Sequence, residues 1–83
     1  MFFVYILYSE RWDKYYIGHT DNLEGRIIRH NKGLEWYTRK YRPWALILAI
    51  EKDTRSEAVR LERKLKNLSG ERLISFINKY RSS

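Results

Sequence analysis

The 83-residue sequence contains no cysteine, which excludes disulfides, thiolate zinc sites and cysteine nucleophiles together. Its two histidines, without a thiol beside them, give no basis for a structural zinc site. Proline occurs once and glycine four times; no flexible linker, low-complexity tract or internal repeat is found. Both glycine-rich phosphate signatures, GxxxxGK[ST] and GxGxxG, are missing. Long apolar runs are missing too. The start MFFVYILYSERW lacks a basic leader and is interrupted at Glu10 and Arg11, too early for a signal peptide or membrane span. It is read as a strand of the mature fold, and no membrane partner is expected.

Acidic residues are the scarcer charge, 10 against 17 Lys and Arg, for a formal net charge of +7. No single-signed run is long enough to form a disordered tail, so the excess belongs to a folded surface. A polyanion is therefore the leading partner class, ahead of an acidic protein or an anionic membrane. The length allows one small domain over 1–83, burying about 60 to 65% of the surface its unfolded form exposes. The absence of cysteine is compatible with a cytoplasmic protein.

Period-two alternation predicts a hairpin, with strands near 3–9 and 14–19 joined by the polar turn SERWDK. Gly18, within or just beyond the second strand, marks a bulge or a close backbone approach. Leu23 and Ile27 recur at helical spacing, with Asp21 or Asn22 as the cap and Gly33 as the stop. The aromatic and basic loop GLEWYTRKYRP follows. Trp44 to Ile50 is a short β-favouring apolar run, expected to be the central strand of the sheet. Thr54 and Glu57 have the T-x-x-E spacing of a capping box, opening a helix whose buried stripe is Ala58, Leu61, Leu65 and Leu68. Leu73, Ile74 and Ile77 predict a last helix, with fraying over 81–83. The order is ββαβαα, an α+β arrangement.

Several polar residues carry two readings. Glu62 lies close to the apolar stripe of its helix. It is either a boundary glutamate paired with an arginine or a single carboxylate holding Mg²⁺ or Mn²⁺ together with waters and phosphate oxygens. Tyr5 and Tyr16 are ordinary strand residues, or phenols that orient or accept a proton from water. Arg26 is a solvated helix arginine, or a fork for two phosphate oxygens. His30 stands one turn further on, where it is favoured by the helix dipole or positioned to hold Tyr5 in its reactive state. His19 is a surface residue or a phosphate donor. Arg39, Lys40 and Arg42, interleaved with Trp36, Tyr37 and Tyr41, combine cations for phosphates with rings for bases, and Thr38 adds a hydroxyl for phosphate.

These residues also carry a resemblance. FVY ending at Tyr5, YIG from Tyr16 to Gly18, the helix LEGRIIRH, the segment TRKYRPW and the later SEAVRLERKLK resemble the GIY-YIG nuclease superfamily. The likeness is strongest to small bacterial stand-alone members related to the nuclease module of nucleotide excision repair, and it runs from Phe2 to about Ile77. Phe3 stands where the family name has glycine, and the asparagine often found shortly after the glutamate has no counterpart. The resemblance implies a three-stranded antiparallel sheet flanked by helices, with Tyr5, Tyr16, Arg26 and His30 catalytic and Glu62 as the metal carboxylate. It implies Gly18 as the glycine that lets backbone and substrate approach. The expected activity is Mg²⁺- or Mn²⁺-dependent endonucleolytic cleavage of DNA, in repair or processing. RNA and a larger repair complex stay open as partners, as does the oligomeric state. The alternative is a module that binds nucleic acid, or a repair complex, without cleaving.

Overall fold

The structure is a computed structural model and describes residues 1–82; the expected fraying at the very end therefore falls partly on Ser83, outside the described residues. Three strands, β1 (Phe2–Ser9), β2 (Lys14–Thr20) and β3 (Ala45–Lys52), form one antiparallel sheet. The helices are α1 (Leu23–Asn31), α2 (Arg55–Lys66) and α3 (Gly70–Arg81), and Arg39–Tyr41 makes a short 3₁₀ turn. This is the ββαβαα order and α+β architecture that the residue pattern implied.

The strand order is β2-β1-β3. The central strand is therefore β1, and the expectation that the Trp44–Ile50 run lies centrally is corrected. The physical reason is burial on both faces. Val4, Tyr5, Ile6 and Leu7 are all at most 1% exposed, whereas β3 leaves Ala45, Leu46 and Glu51 in solvent as an edge strand does. The one register shift also lies on β3: Ile6 pairs with Leu48 and Leu7 with Leu46, leaving Ile47 as the extra residue. Gly18 is no bulge. It pairs in register with Tyr5, so of its two readings only the close approach survives.

The sheet divides two cores. On one face Val4, Ile6, Ile17, Leu48 and Ile50 meet Ala58 and Leu65 of α2 and Leu73 and Ile77 of α3. On the other, Tyr5, Leu7 and Trp44 are covered by Tyr16, Tyr41, and Leu23 and Ile27 of α1. The helices begin and end for local reasons. The Asn22 side chain accepts from Gly25 N at 3.1 Å, capping α1. Gly33, at φ +76, closes it with Gly33 N–His30 O and Leu34 N–Arg29 O bonds, a reversal that a residue with a Cβ adopts at a cost. At α2, Glu57 N donates to Thr54 Oγ1 at 3.2 Å, while the Glu57 carboxylate accepts from the Thr54 hydroxyl rather than from its amide. Asn31 then fastens the loop: its amide donates to Trp44 O and accepts from Trp44 N, at 3.1 and 2.6 Å. The Trp44 indole donates to Thr38 O at 3.0 Å.

Candidate active site

The β1–β2 register sets Tyr5 opposite Gly18 and Leu7 opposite Tyr16, so both tyrosines share the face covered by α1. Arg26 and His30, four apart on α1, share one side of that helix. The result is a compact cluster. Tyr5 Oη and His30 Nε2 are hydrogen bonded at 2.9 Å, and the Tyr16 ring centroid lies 6.2 Å from Tyr5 and 5.0 Å from His30.

Tyr5 is 0% exposed, so its phenol is the inner member of the pair. Tyr16 is half-buried and has no hydrogen-bond partner among the described residues, so the phenol open to solvent is the second one. Burial pushes the Tyr5 phenol well above its ordinary value; Tyr16 adds to this and Arg26 opposes it. Burial also raises Tyr16, with Lys66 pulling it down and Glu62 pushing it up. Both phenols therefore hold their protons at neutral pH. His30 is lowered by burial, Glu35 opposing, and is neutral there.

Glu62 approaches from the other side of the sheet. β2 pairs only with β1, so its outer edge is open. Tyr16 and Gly18 face α1, while Ile17 and His19 face α2, and α2 brings Glu62 to this edge. There Glu62 Oε1 is hydrogen bonded to His19 Nδ1, and Oε2 takes Lys66 Nζ at 2.7 Å. Burial alone would raise the Glu62 carboxyl, but bonds from Lys66 and His19 outweigh it and hold the group below its ordinary value. Tyr16 is the meeting point. It feels Lys66 and Glu62 from one side and Arg26 and Glu35 from the other, and it lines an open pocket with Tyr37 and Lys66.

Among the described residues no three His, Cys, Asp or Glu side chains gather as a metal cage. A lone carboxylate, 15% exposed and already engaged by Lys66 and the His19 ring, fits a hard dication that keeps waters and phosphate oxygens as its other ligands. It does not fit a zinc site built wholly from protein.

The structure separates the remaining expected residues. Gly18 is buried beneath Tyr5, where a Cβ would meet the Tyr5 hydroxyl. His19 is engaged with Glu62. Arg39 and Lys40 are exposed, Lys40 lying over the Tyr41 ring, while Arg42 donates to Arg39 O at 3.0 Å. Tyr41 contacts Trp12 and Lys14, so this basic cluster lies toward the hairpin turn. Among the described residues no hydrogen bond or ion pair joins it to Tyr5, Tyr16, Arg26 or Glu62. Thr38 is 1% exposed and hydrogen bonded to His30 Nδ1 at 2.6 Å; a buried hydroxyl so engaged is not a phosphate contact, which corrects that expectation.

Glu35 and Lys66 are the residues that sequence reasoning missed. Glu35 takes Arg29 Nε at 2.6 Å and stands 3.9 Å from Arg26 Nε. The second distance is an ion pair too long for a hydrogen bond, and Arg26, with its side chain 40% exposed, turns toward the Tyr5 phenol instead. For Lys66, the i,i+4 spacing from Glu62 is a signal the sequence does carry.

The GIY-YIG catalytic domain matches residues 1–81. The chain belongs to the GIY-YIG family. That membership places it in a nuclease superfamily, with nucleic acid as the substrate class the domain suggests and a divalent metal as its general requirement. Relatives include the UPF0213 protein SSP2268 of Staphylococcus saprophyticus, 36% identical over 64 residues, 76% of this chain and 78% of that one. The UPF0213 protein RBAM_000440 of Bacillus velezensis is 35% identical over 69 residues, covering 82% and 70%. Among solved structures, the solution NMR structure of the UPF0213 protein BH0048 from Bacillus halodurans superposes with a TM-score of 0.62 at 30% identity, covering 94% of this chain and 84% of that one. This GIY-YIG chain contains no helix, among the described residues, long and apolar enough to cross a membrane.

Proposed function

We propose that residues 1–83 act as one GIY-YIG domain that hydrolyses phosphodiester bonds in DNA as a divalent-metal-dependent endonuclease, in repair or processing in the cytoplasm. The observation that carries this is the convergence on Tyr16: an unpartnered phenol, a part-exposed arginine and, through Lys66, a carboxylate gather along one open strand edge. Packing alone gives no reason for that combination.

Arg26 takes the scissile phosphate in its guanidinium fork and offsets the charge that builds on it. Tyr16 orients the attacking water through its phenol oxygen. Tyr5 lies behind it as a relay: the attacking water gives its proton to Tyr5 Oη as the Tyr5 hydroxyl proton moves to His30 Nε2, which burial keeps neutral, so the phenol stays protonated and the imidazole is the net base. His30 keeps the useful tautomer by donating from Nδ1 to Thr38 Oγ1. Glu62 would hold Mg²⁺ or Mn²⁺, which when bound neutralises the carboxylate, eases proton loss nearby and stabilises the leaving 3′ oxygen. The product then carries a 5′ phosphate.

Purified protein with Mg²⁺ or Mn²⁺ is expected to nick or cut at least one of duplex, branched, flapped or single-stranded DNA. Glu62→Ala should lower the rate by at least about 10²-fold, a scale typical of losing charge stabilisation in a transition state. Inactivity on every substrate, with salt-sensitive binding unchanged in Glu62→Ala, would instead support a binding module. Cleavage of RNA alone would redirect the substrate assignment.

A further inference from the structure

The outer side of α2 is a second basic surface. Going round the helix from Glu62 at about 100° per residue, Lys66 lies about 40° away, Arg63 about 100°, Arg60 about 160° and Lys64 about 200°. Cations thus continue from the candidate active site without an apolar break wider than Val59. Arg55, Val59, Arg60, Arg63, Lys64 and Asn67 line one open concavity there.

These cations are uncompensated. The ion pairs among the described residues involve His19, Arg26, Arg29 and Lys66 with Glu35 and Glu62; Arg60, Arg63 and Lys64 take part in none. Glu57, the acidic neighbour on the same helix, has its carboxylate turned to the Thr54 hydroxyl at 3.0 Å. Arg55 stacks on the Phe2 ring at 4.7 Å, an arrangement that leaves its charge unneutralised. A purely solvated helix face more often alternates signs, which supports the helix through i,i+4 pairs. Here that opportunity is unused.

We propose that this face of α2 is a backbone track: phosphates flanking the scissile bond run from Glu62 past Lys66 and Arg63 onto Arg60 and Lys64. The direction rests on the nuclease reading, since Glu62 marks where the scissile phosphate sits. The chemistry favours nucleic acid over a lipid surface, because the band offers donors and a single valine rather than apolar side chains that would enter a bilayer. Arg55 and Arg63 are about 12 Å apart along the helix axis, a span of about three phosphates on one strand.

The test is binding by the Glu62→Gln protein to fluorescein-labelled DNA of about 30 nucleotides, single-stranded and duplex, between about 50 and 200 mM salt. Adding Arg60→Ala, Arg63→Ala and Lys64→Ala should make the slope of log affinity against log salt shallower by about 2 and weaken binding at least about tenfold at the low-salt end. Removing Arg72, Lys79 and Arg81 from α3 should leave the slope within about 0.5, because those cations would make no phosphate contact. Circular dichroism checks the fold of each variant. The arm that responds, single-stranded or duplex, identifies the form of the flanking nucleic acid. An unchanged slope in the α2 variant, or an equal loss in the α3 variant, overturns the proposal. So does binding to phosphatidylglycerol vesicles that needs the α2 cations while DNA binding does not. If the slope falls but the native chain cleaves nothing, the nuclease reading fails alone; if it cleaves and the slope holds, the track fails alone.

Discussion

The Tyr5 hydroxyl occupies the space a side chain on Gly18 would need: a Cβ there would stand 2.7 Å from Oη, 2.9 Å from Cζ and 3.1 Å from Tyr16 Cε2. The partner of Oη, His30 Nε2, is 2.9 Å away, so the ring cannot yield without disturbing that bond. Gly18→Ala should cost about 1–3 kcal/mol of stability by overpacking, read as a lowered urea midpoint, and should reduce any cleavage. In the double variant with Tyr5→Phe the hydroxyl contact is gone while the Cζ contact remains. The two stability losses should therefore sum to more than the loss in the double variant.

Thr38→Val keeps the shape of a buried side chain and removes the oxygen that meets His30 Nδ1 at 2.6 Å. Leaving a buried polar atom unpaired costs about 1–3 kcal/mol. The tautomer is then no longer fixed, so ¹⁵N NMR of the imidazole should show a changed Nδ1/Nε2 protonation balance. Unchanged nitrogen shifts would show that Thr38 does not set the ring.

Burial holds the folded-state pKa of His30 below its ordinary value. The unfolded chain consequently binds this proton first as pH falls, and the stability present above about pH 6.5 is lost as pH drops through the folded value. Urea midpoints measured from about pH 7.5 to 5.5 should decline toward acid, and His30→Gln should flatten the decline. The lowered carboxyls of Glu35 and Glu62 have the same sign but act in the carboxylate range, at lower pH.

Lys66 Nζ sits on Glu62 Oε2 at 2.7 Å, where a dication would compete with it. Lys66→Met should therefore tighten Mn²⁺ binding several-fold, about 1 kcal/mol, the upper range for a partly exposed pair, as measured by electron paramagnetic resonance of free Mn²⁺. Fold stability should change little, because the lysine side chain is 53% exposed.

Local interactions account for what could be read from the chain. Alternation located β1 and β2, the Thr54–Glu57 spacing located the start of α2, and Gly33 ended α1. Arg26 and His30 could be put on one side of a helix by counting. Each of these depends on residues a few positions apart, whose geometry the backbone fixes before any packing occurs. The tertiary structure decided the rest. Whether Trp44 to Ile50 lay centrally depended on which strand could bury both faces, and that competition was won by β1. The Tyr5–His30 bond spans 25 residues and the His19–Glu62 bond 43; no periodicity reports partners so distant. Thr38 could be read as a phosphate ligand until its place inside the fold was known. Residue order and type were enough for the elements and the chemical groups available. Only the packing of helices on both faces of a sheet with an open β2 edge brought Glu62 of α2 to the edge where Tyr16 lies, because side chains from opposite faces can meet only around a free edge.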